Sequence, residues 1–86
     1  ERDVMRYSPA GIPIVSAMLV HESDQVEAGI SRRVLFEIAA LAAGQIAQQL
    51  EQEKLGSEFR FTGFLARKNR NSRSLIFHLT AFENIE

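Results

Sequence analysis

Apolar and polar residues alternate with a period of two over residues 32–39. Val34, Phe36 and Ile38 fall on one side of an extended chain, and Arg33, Leu35 and Glu37 on the other. The same period returns at Phe59, Arg60, Phe61 and Thr62, and again over residues 74–82. There Leu75, Phe77 and Leu79 share one face, and Ile76, His78, Thr80 and Phe82 the other. This repeated alternation, punctuated by glycine and proline, commits the chain to short half-buried strands. With 86 residues there is length for one small domain, spanning residues 1–86, and a chain of that size buries only about 60% of its unfolded surface. Its core is expected to be thin. The sequence has no cysteine to staple it and two histidines, too few for a recognisable metal cluster, so a partner subunit is the remaining remedy.

The rest of the chain fits around these strands. Residues 6–13, RYSPAGIP, crowd two prolines, a glycine and a serine into what is expected to be a strand connection. Residues 14–21 are almost continuously apolar, as in a central strand covered on both faces. Residues 22–31 turn polar and acidic and contain Ala28-Gly29, which predicts a long hairpin loop. Residues 41–53 are rich in Ala and Gln, with Ile46 and Leu50 at helical spacing. A short helix is expected there, despite Gly44, with Leu41, Ile46, Leu50 and Leu55 plugging one end of the sheet. Gly63 inside the fourth strand predicts a bulge or bend. Alternation places Phe64 opposite Phe59 and Phe61, as a candidate exposed aromatic.

Charge is distributed unevenly. The segment 59–82 carries Arg60, Arg67, Lys68, Arg70 and Arg73 without any acid, whereas nine of the eleven acids precede it and Glu83 and Glu86 follow it. A net charge of −1 therefore conceals a cationic stretch. Cations interleaved with aromatics fit a groove for single-stranded nucleic acid, although the same charges could be a solvated strand face. Arg67, Lys68, Arg70 and Arg73 on a flexible loop would grip phosphates without reading sequence. Arg6, in the other connection, would extend that track or serve as an ordinary loop charge. Arg32 and Arg33 open the third strand, and Arg33, on the face of Leu35, would lie beneath a strand of DNA or pair with a carboxylate such as Glu37. Phe64 would stack on a base or be buried at the bulge or in a subunit contact. Tyr7 is expected to pack rather than stack, and Phe59, Phe61 and Phe77 to be core.

Other chemistries find little support. His21 and His78 have no ligand partners at suitable spacing and are expected to be structural, so no metal site and no cofactor are expected. No serine or threonine has a base and an orienting group in a recognisable motif, no phosphate-binding glycine loop is present, and the acids are too dispersed for a nuclease centre. The protein is expected not to be an enzyme. No apolar run approaches a membrane span, there is no signal-peptide core, and the absence of cysteine fits a reducing compartment, so a cytoplasmic protein without membrane contact is expected.

The order of strand, turn, strand, long loop, strand, helix, strand, basic loop, strand is that of an all-β, five-stranded oligonucleotide-binding (OB) barrel with one short helix. The chain resembles the primosomal replication protein N (PriB) family. The resemblance is carried by Ser8-Pro9-Ala10-Gly11-Ile12-Pro13, Val20-His21-Glu22-Ser23, Glu27-Ala28-Gly29, Gly63-Phe64 and the basic tip from Arg67 to Arg73. It implies an OB-fold homodimer that binds single-stranded DNA and supports a PriA-type helicase, with other primosome proteins, in replication restart. Two departures stand out. Glu1-Arg2-Asp3-Val4-Met5 enters part-way along the first strand, which is therefore truncated or completed by another segment. Leu35 stands where the best-known members carry an aromatic on the open face; bases would pack near it without stacking, at a cost of about 1–3 kcal/mol per lost platform unless Phe64 or another ring compensates. A protein–protein scaffold with weak or no nucleic-acid binding is the alternative reading.

Overall fold

The computed structural model describes residues 2–85, so Glu1 and Glu86 of the acid tally lie outside the described residues. Its elements are β1 (Arg6–Tyr7), β2 (Pro13–Glu27), β3 (Ile30–Ala43), α1 (Gln45–Glu51), β4 (Phe59–Arg67) and β5 (Leu75–Asn84). They form one sheet in the order β1-β2-β3-β5-β4, antiparallel except for a parallel β3–β5 step at Ala40↔Phe77 and Leu41↔His78. This is the OB order, with the helix between the third and fourth strands as expected.

The expected barrel is not closed. Among the described residues β1 is two residues long and is supplemented by a single bridge, Arg2↔Ala17, so it pairs with β2 and does not reach β4. A cleft opens between the two halves of the sheet, lined by Leu19, Phe36, Phe59, Phe61, Leu65 and Phe77.

The expected long loop over residues 22–31 is instead strand. β2 and β3 pair without interruption from Ile14↔Ala43 to Glu27↔Ile30, and the chain reverses through Ala28 and Gly29, at φ 52° and 78°. Two consecutive positive φ values give the twist that a two-residue hairpin requires. The polarity has a different cause from the one inferred: this end of the hairpin projects beyond the core, so both faces meet water. Cross-strand ion pairs replace apolar pairs there, Arg32 with Glu27 at 2.6 Å and Arg33 with Glu22 at 2.8 Å and Asp24 at 3.3 Å.

The helix is shorter than the Ala-rich run suggested. Leu41, Ala42 and Ala43 belong to β3, and α1 begins only after Gly44 at φ 83°. Small residues are needed here for packing: Ala42 and Ala47 are fully enclosed where helix meets sheet, with Val15, Leu50 and Leu79. Met5, Ile46, Phe61, Phe77 and Phe82 surround that cluster. Ile46 and Leu50 thus plug the sheet as expected, whereas Leu41 sits on the other face of β3 and Leu55 is exposed. The Arg2 guanidinium donates to the carbonyls of Leu50, which also accepts from the Glu53 N–H, and of Glu53, tying the amino-terminal segment to the end of the helix.

Gly63 does mark an irregularity. Thr62 faces Ala81 but Gly63 faces Leu79, so Thr80 is the extra residue. The bulge changes the phase of β5, and Phe82 joins Leu79 on the core side instead of sharing the face of His78. There it packs with Phe59 and Phe61, at ring-centroid distances of 5.3 and 6.2 Å. A Cβ on Gly63 would stand 2.0 Å from the His78 carbonyl oxygen, so the close approach of β4 to β5 requires glycine.

Candidate nucleic-acid interface

Alternation along each strand, combined with the pairing register, defines what lies on the outer face, opposite the core. Ser16 pairs with Leu41, Leu41 with His78 and His78 with Phe64, giving one transverse row across β2, β3, β5 and β4. The Arg6 guanidinium donates to the Ser16 Oγ at 3.1 Å and caps the row at the β1 edge. At the opposite end Phe64 is 55% exposed, its ring stacked on His78 at 4.9 Å with 7° between the planes. Phe64 is therefore an exposed aromatic, as alternation indicated, and His78 is its partner.

The basic loop follows directly from β4. Its backbone is held by its own polar residues: the Asn69 Oδ1 accepts from the Asn71 N–H at 3.0 Å, the Ser72 Oγ accepts from the Ser74 N–H at 3.0 Å, and the Lys68 N–H donates to the Ser74 carbonyl at 3.0 Å. Asn and Ser thus build the turn, leaving the cationic side chains outside its hydrogen bonds. Arg67, Lys68, Arg70 and Arg73 are exposed, and among the described residues none has a carboxylate within ion-pairing distance.

The other sequence candidates divide differently. Arg32 and Arg33 are engaged by carboxylates on the hairpin, and the partners of Arg33 are Glu22 and Asp24 rather than Glu37. Arg60 has the acid Glu83 directly opposite in register and bridges to it at 2.9 Å, so it leaves the cationic set. Leu35 is exposed on the outer face of the hairpin, opposite Glu22. Six residues separate it from Leu41, about 20 Å along an extended strand, so it is not brought together with Phe64. Tyr7 is 62% exposed, not packed, because two-residue β1 gives it little to pack against. His21 stacks on Phe36 at 4.8 Å and lies 2.8 Å from the Ser23 Oγ.

His78 is the residue that sequence reasoning missed. Its signal was the pairing of β4 with β5: counting outward from the basic loop sets Phe64 against His78, but only the parallel β3–β5 contact reveals that Leu41 and Ser16 continue the line. No three His, Cys, Asp or Glu side chains cluster as metal ligands among the described residues, and no helix there is long and apolar enough to cross a membrane.

An OB-ordered sheet with an exposed ring on its outer face and, among the described residues, an adjoining set of cations without carboxylate partners fits the single-strand-binding class. Residues 1–81 match the model of a family described as another single-strand binding protein family. The replication restart protein PriB of Nitrosomonas europaea is 45% identical over 74 residues, covering 86% of this chain and 68% of the relative. That of Bordetella pertussis is 44% identical over 79 residues, covering 92% and 74%. A solved structure of PriB from Ralstonia solanacearum superposes with a TM-score of 0.91 at 42% identity, covering all of this chain and 87% of that one. The chain belongs to the PriB family of single-strand binding proteins.

Proposed function

We propose that the protein binds single-stranded DNA, largely without sequence preference, as an accessory factor of the replication-restart primosome that supports a PriA-type helicase. The observation that carries this reading is the set of four loop cations, Arg67, Lys68, Arg70 and Arg73, without carboxylate partners among the described residues, next to the exposed ring of Phe64. Phosphates neutralised there release condensed counterions, and a base freed from a duplex can lie on the ring. Arg6 extends the track across the face. Arg32 and Arg33 join it only by exchanging carboxylates for phosphates, an exchange that costs little because exposed ion pairs are worth about 0–1 kcal/mol. The mechanism is binding without turnover, needing no metal or cofactor. The names of the relatives, replication restart protein, support the cellular role, the thin core supports a homodimer, and the absence of cysteine fits a reducing cytoplasm.

A second reading, a protein–protein scaffold with weak nucleic-acid affinity, is favoured by exposed Leu35 and by the ion pairs that occupy Arg32, Arg33 and Arg60. Fluorescence anisotropy with a labelled oligothymidylate and a duplex of equal length, together with a helicase-stimulation assay, separates the two. Preferential binding of the single strand, abolished by replacing the four loop cations with Ala while the helicase is still bound, supports the first reading. Undetectable DNA binding with helicase stimulation intact overturns it in favour of the second.

A further inference from the structure

We infer that His78 is a positioning residue for nucleic-acid binding: it holds the ring of Phe64 flat so that one unstacked base lies on a prearranged two-ring platform. This rests on the single-strand-binding reading above and assigns it one specific base subsite. An exposed aromatic on an open sheet face ordinarily samples several rotamers, and immobilising it on binding costs affinity. Phe64 already has a stacking partner. Its ring lies parallel to the imidazole at 4.9 Å, within the usual separation of paired rings. His78 is itself half-buried between Leu41 on β3 and Phe64 on β4, its neighbours in register.

The backbone makes this pairing specific. At Gly63 the strands approach so closely that a Cβ would meet the His78 carbonyl oxygen at 2.0 Å and the Phe77 ring at 2.8 Å. Thr80 bulges out one step farther along and bonds through its Oγ1 to the Thr62 carbonyl at 3.1 Å. Glycine and bulge together set the register that brings Phe64 over His78. The platform is also well placed with respect to the cations. Three residues beyond Phe64, about 10 Å along β4, Arg67 alternates to the opposite face and leads into the loop that carries Lys68, Arg70 and Arg73, and the Arg6–Ser16 pair closes the other end of the row. A nucleotide stacked on Phe64 therefore has cationic groups on both sides.

The test compares wild type, His78→Ala and His78→Phe on two labelled oligomers of equal length, oligothymidylate and an abasic deoxyribose-phosphate chain. A stacking role predicts that His78→Ala weakens oligothymidylate binding about fivefold or more. It also predicts unchanged abasic binding, an unchanged salt dependence and restored affinity in His78→Phe. Equal losses on both oligomers, or no loss on either, overturn the inference. Should His78→Ala fail to fold, proton NMR of the wild type decides. Upfield shifts of the Phe64 ring and His78 imidazole protons with oligothymidylate but not with the abasic chain support the platform, and identical shifts with both refute it. Failure of the wild type to bind either oligomer would instead count against the single-strand-binding reading itself.

Discussion

The loop cations can be tested through the salt dependence of binding, because each phosphate contact on a single strand contributes about −0.7 to the slope of log Kobs against log salt concentration. Five cations are placed to act, Arg6 and the loop residues Arg67, Lys68, Arg70 and Arg73, which gives the wild type a slope of about −3.5. Affinity for oligothymidylate should then fall about 130-fold between 50 and 200 mM salt. Replacing the four loop residues with Ala leaves one contact, a slope of about −0.7 and a loss of about 2.6-fold over the same range. If the two lines meet near 1 M, where counterion release no longer contributes, the variant is about 90-fold weaker at 200 mM. Anisotropy titrations at four or more salt concentrations give both slopes. The variant should keep the wild-type fold, because the loop turn is held by Asn69, Ser72 and backbone groups rather than by the replaced side chains. A folded variant whose slope matches that of the wild type would refute the assignment, and the affinity would have to come from other contacts.

Three further outcomes follow from the geometry. Arg33→Ala should change the salt slope by less than half as much as Arg70→Ala, because Arg33 is already neutralised by Glu22 and Asp24; parallel titrations with equal slope changes would contradict this. Gly63→Ala should lower stability by about 1–3 kcal/mol, since the new methyl meets the His78 backbone and the strands must part. Urea unfolding reads this, and an unchanged midpoint would show that the close approach is not a constraint. Leu35→Trp should tighten oligothymidylate binding at least about fivefold if the strand passes over the outer face of the hairpin, since it adds a stacking platform. No gain would mean that the path stays between the basic loop and the Phe64 row.

The parts of the fold that the sequence disclosed are those with one wet and one dry face. Val34, Phe36 and Ile38 against Arg33, Leu35 and Glu37 alternate because β3 is half-buried there, and Phe61 and Phe64 point to opposite sides for the same reason. The hidden parts lack that contrast. Residues 22–31 are wet on both faces, so polar residues predominate on either side of the strand and the half-buried pattern is lost, and only Ala28-Gly29, the turn itself, remained as a signal. In β3 the run Ala39, Ala40, Leu41, Ala42 and Ala43 has the composition of a helix, yet its small side chains admit α1 against the sheet. Intrinsic propensity is a weak prior that packing overrides. The phase of β5 could not be followed past Thr80, because a bulge shifts every later residue to the other face.

The proposed binding face is harder to read than the strands that compose it, and the reason is topological. Arg6, Ser16, Leu41, His78 and Phe64 come from five strands, and the step that joins them is the parallel pairing of Leu41 with His78, made across an intervening helix and a whole hairpin. No local pattern specifies that register. Local chemistry does specify the charges, and the same register then decides which of them are free among the described residues: Arg60 lies opposite Glu83, and Arg33 opposite Asp24, whereas Arg67 lies opposite the uncharged Leu75, and Lys68, Arg70 and Arg73 project from a turn with no strand facing them. A loop outside the ladder has no cross-strand partner to neutralise it, so a nearly neutral chain can present a strongly cationic rim. On this argument an acid introduced beside the rim, such as Asn71→Asp, should weaken binding far more than the same charge placed at Ser31 on the hairpin. Titration of the two single-charge variants with oligothymidylate provides the measurement, and equal losses would show that net charge, rather than the placement set by register, governs affinity.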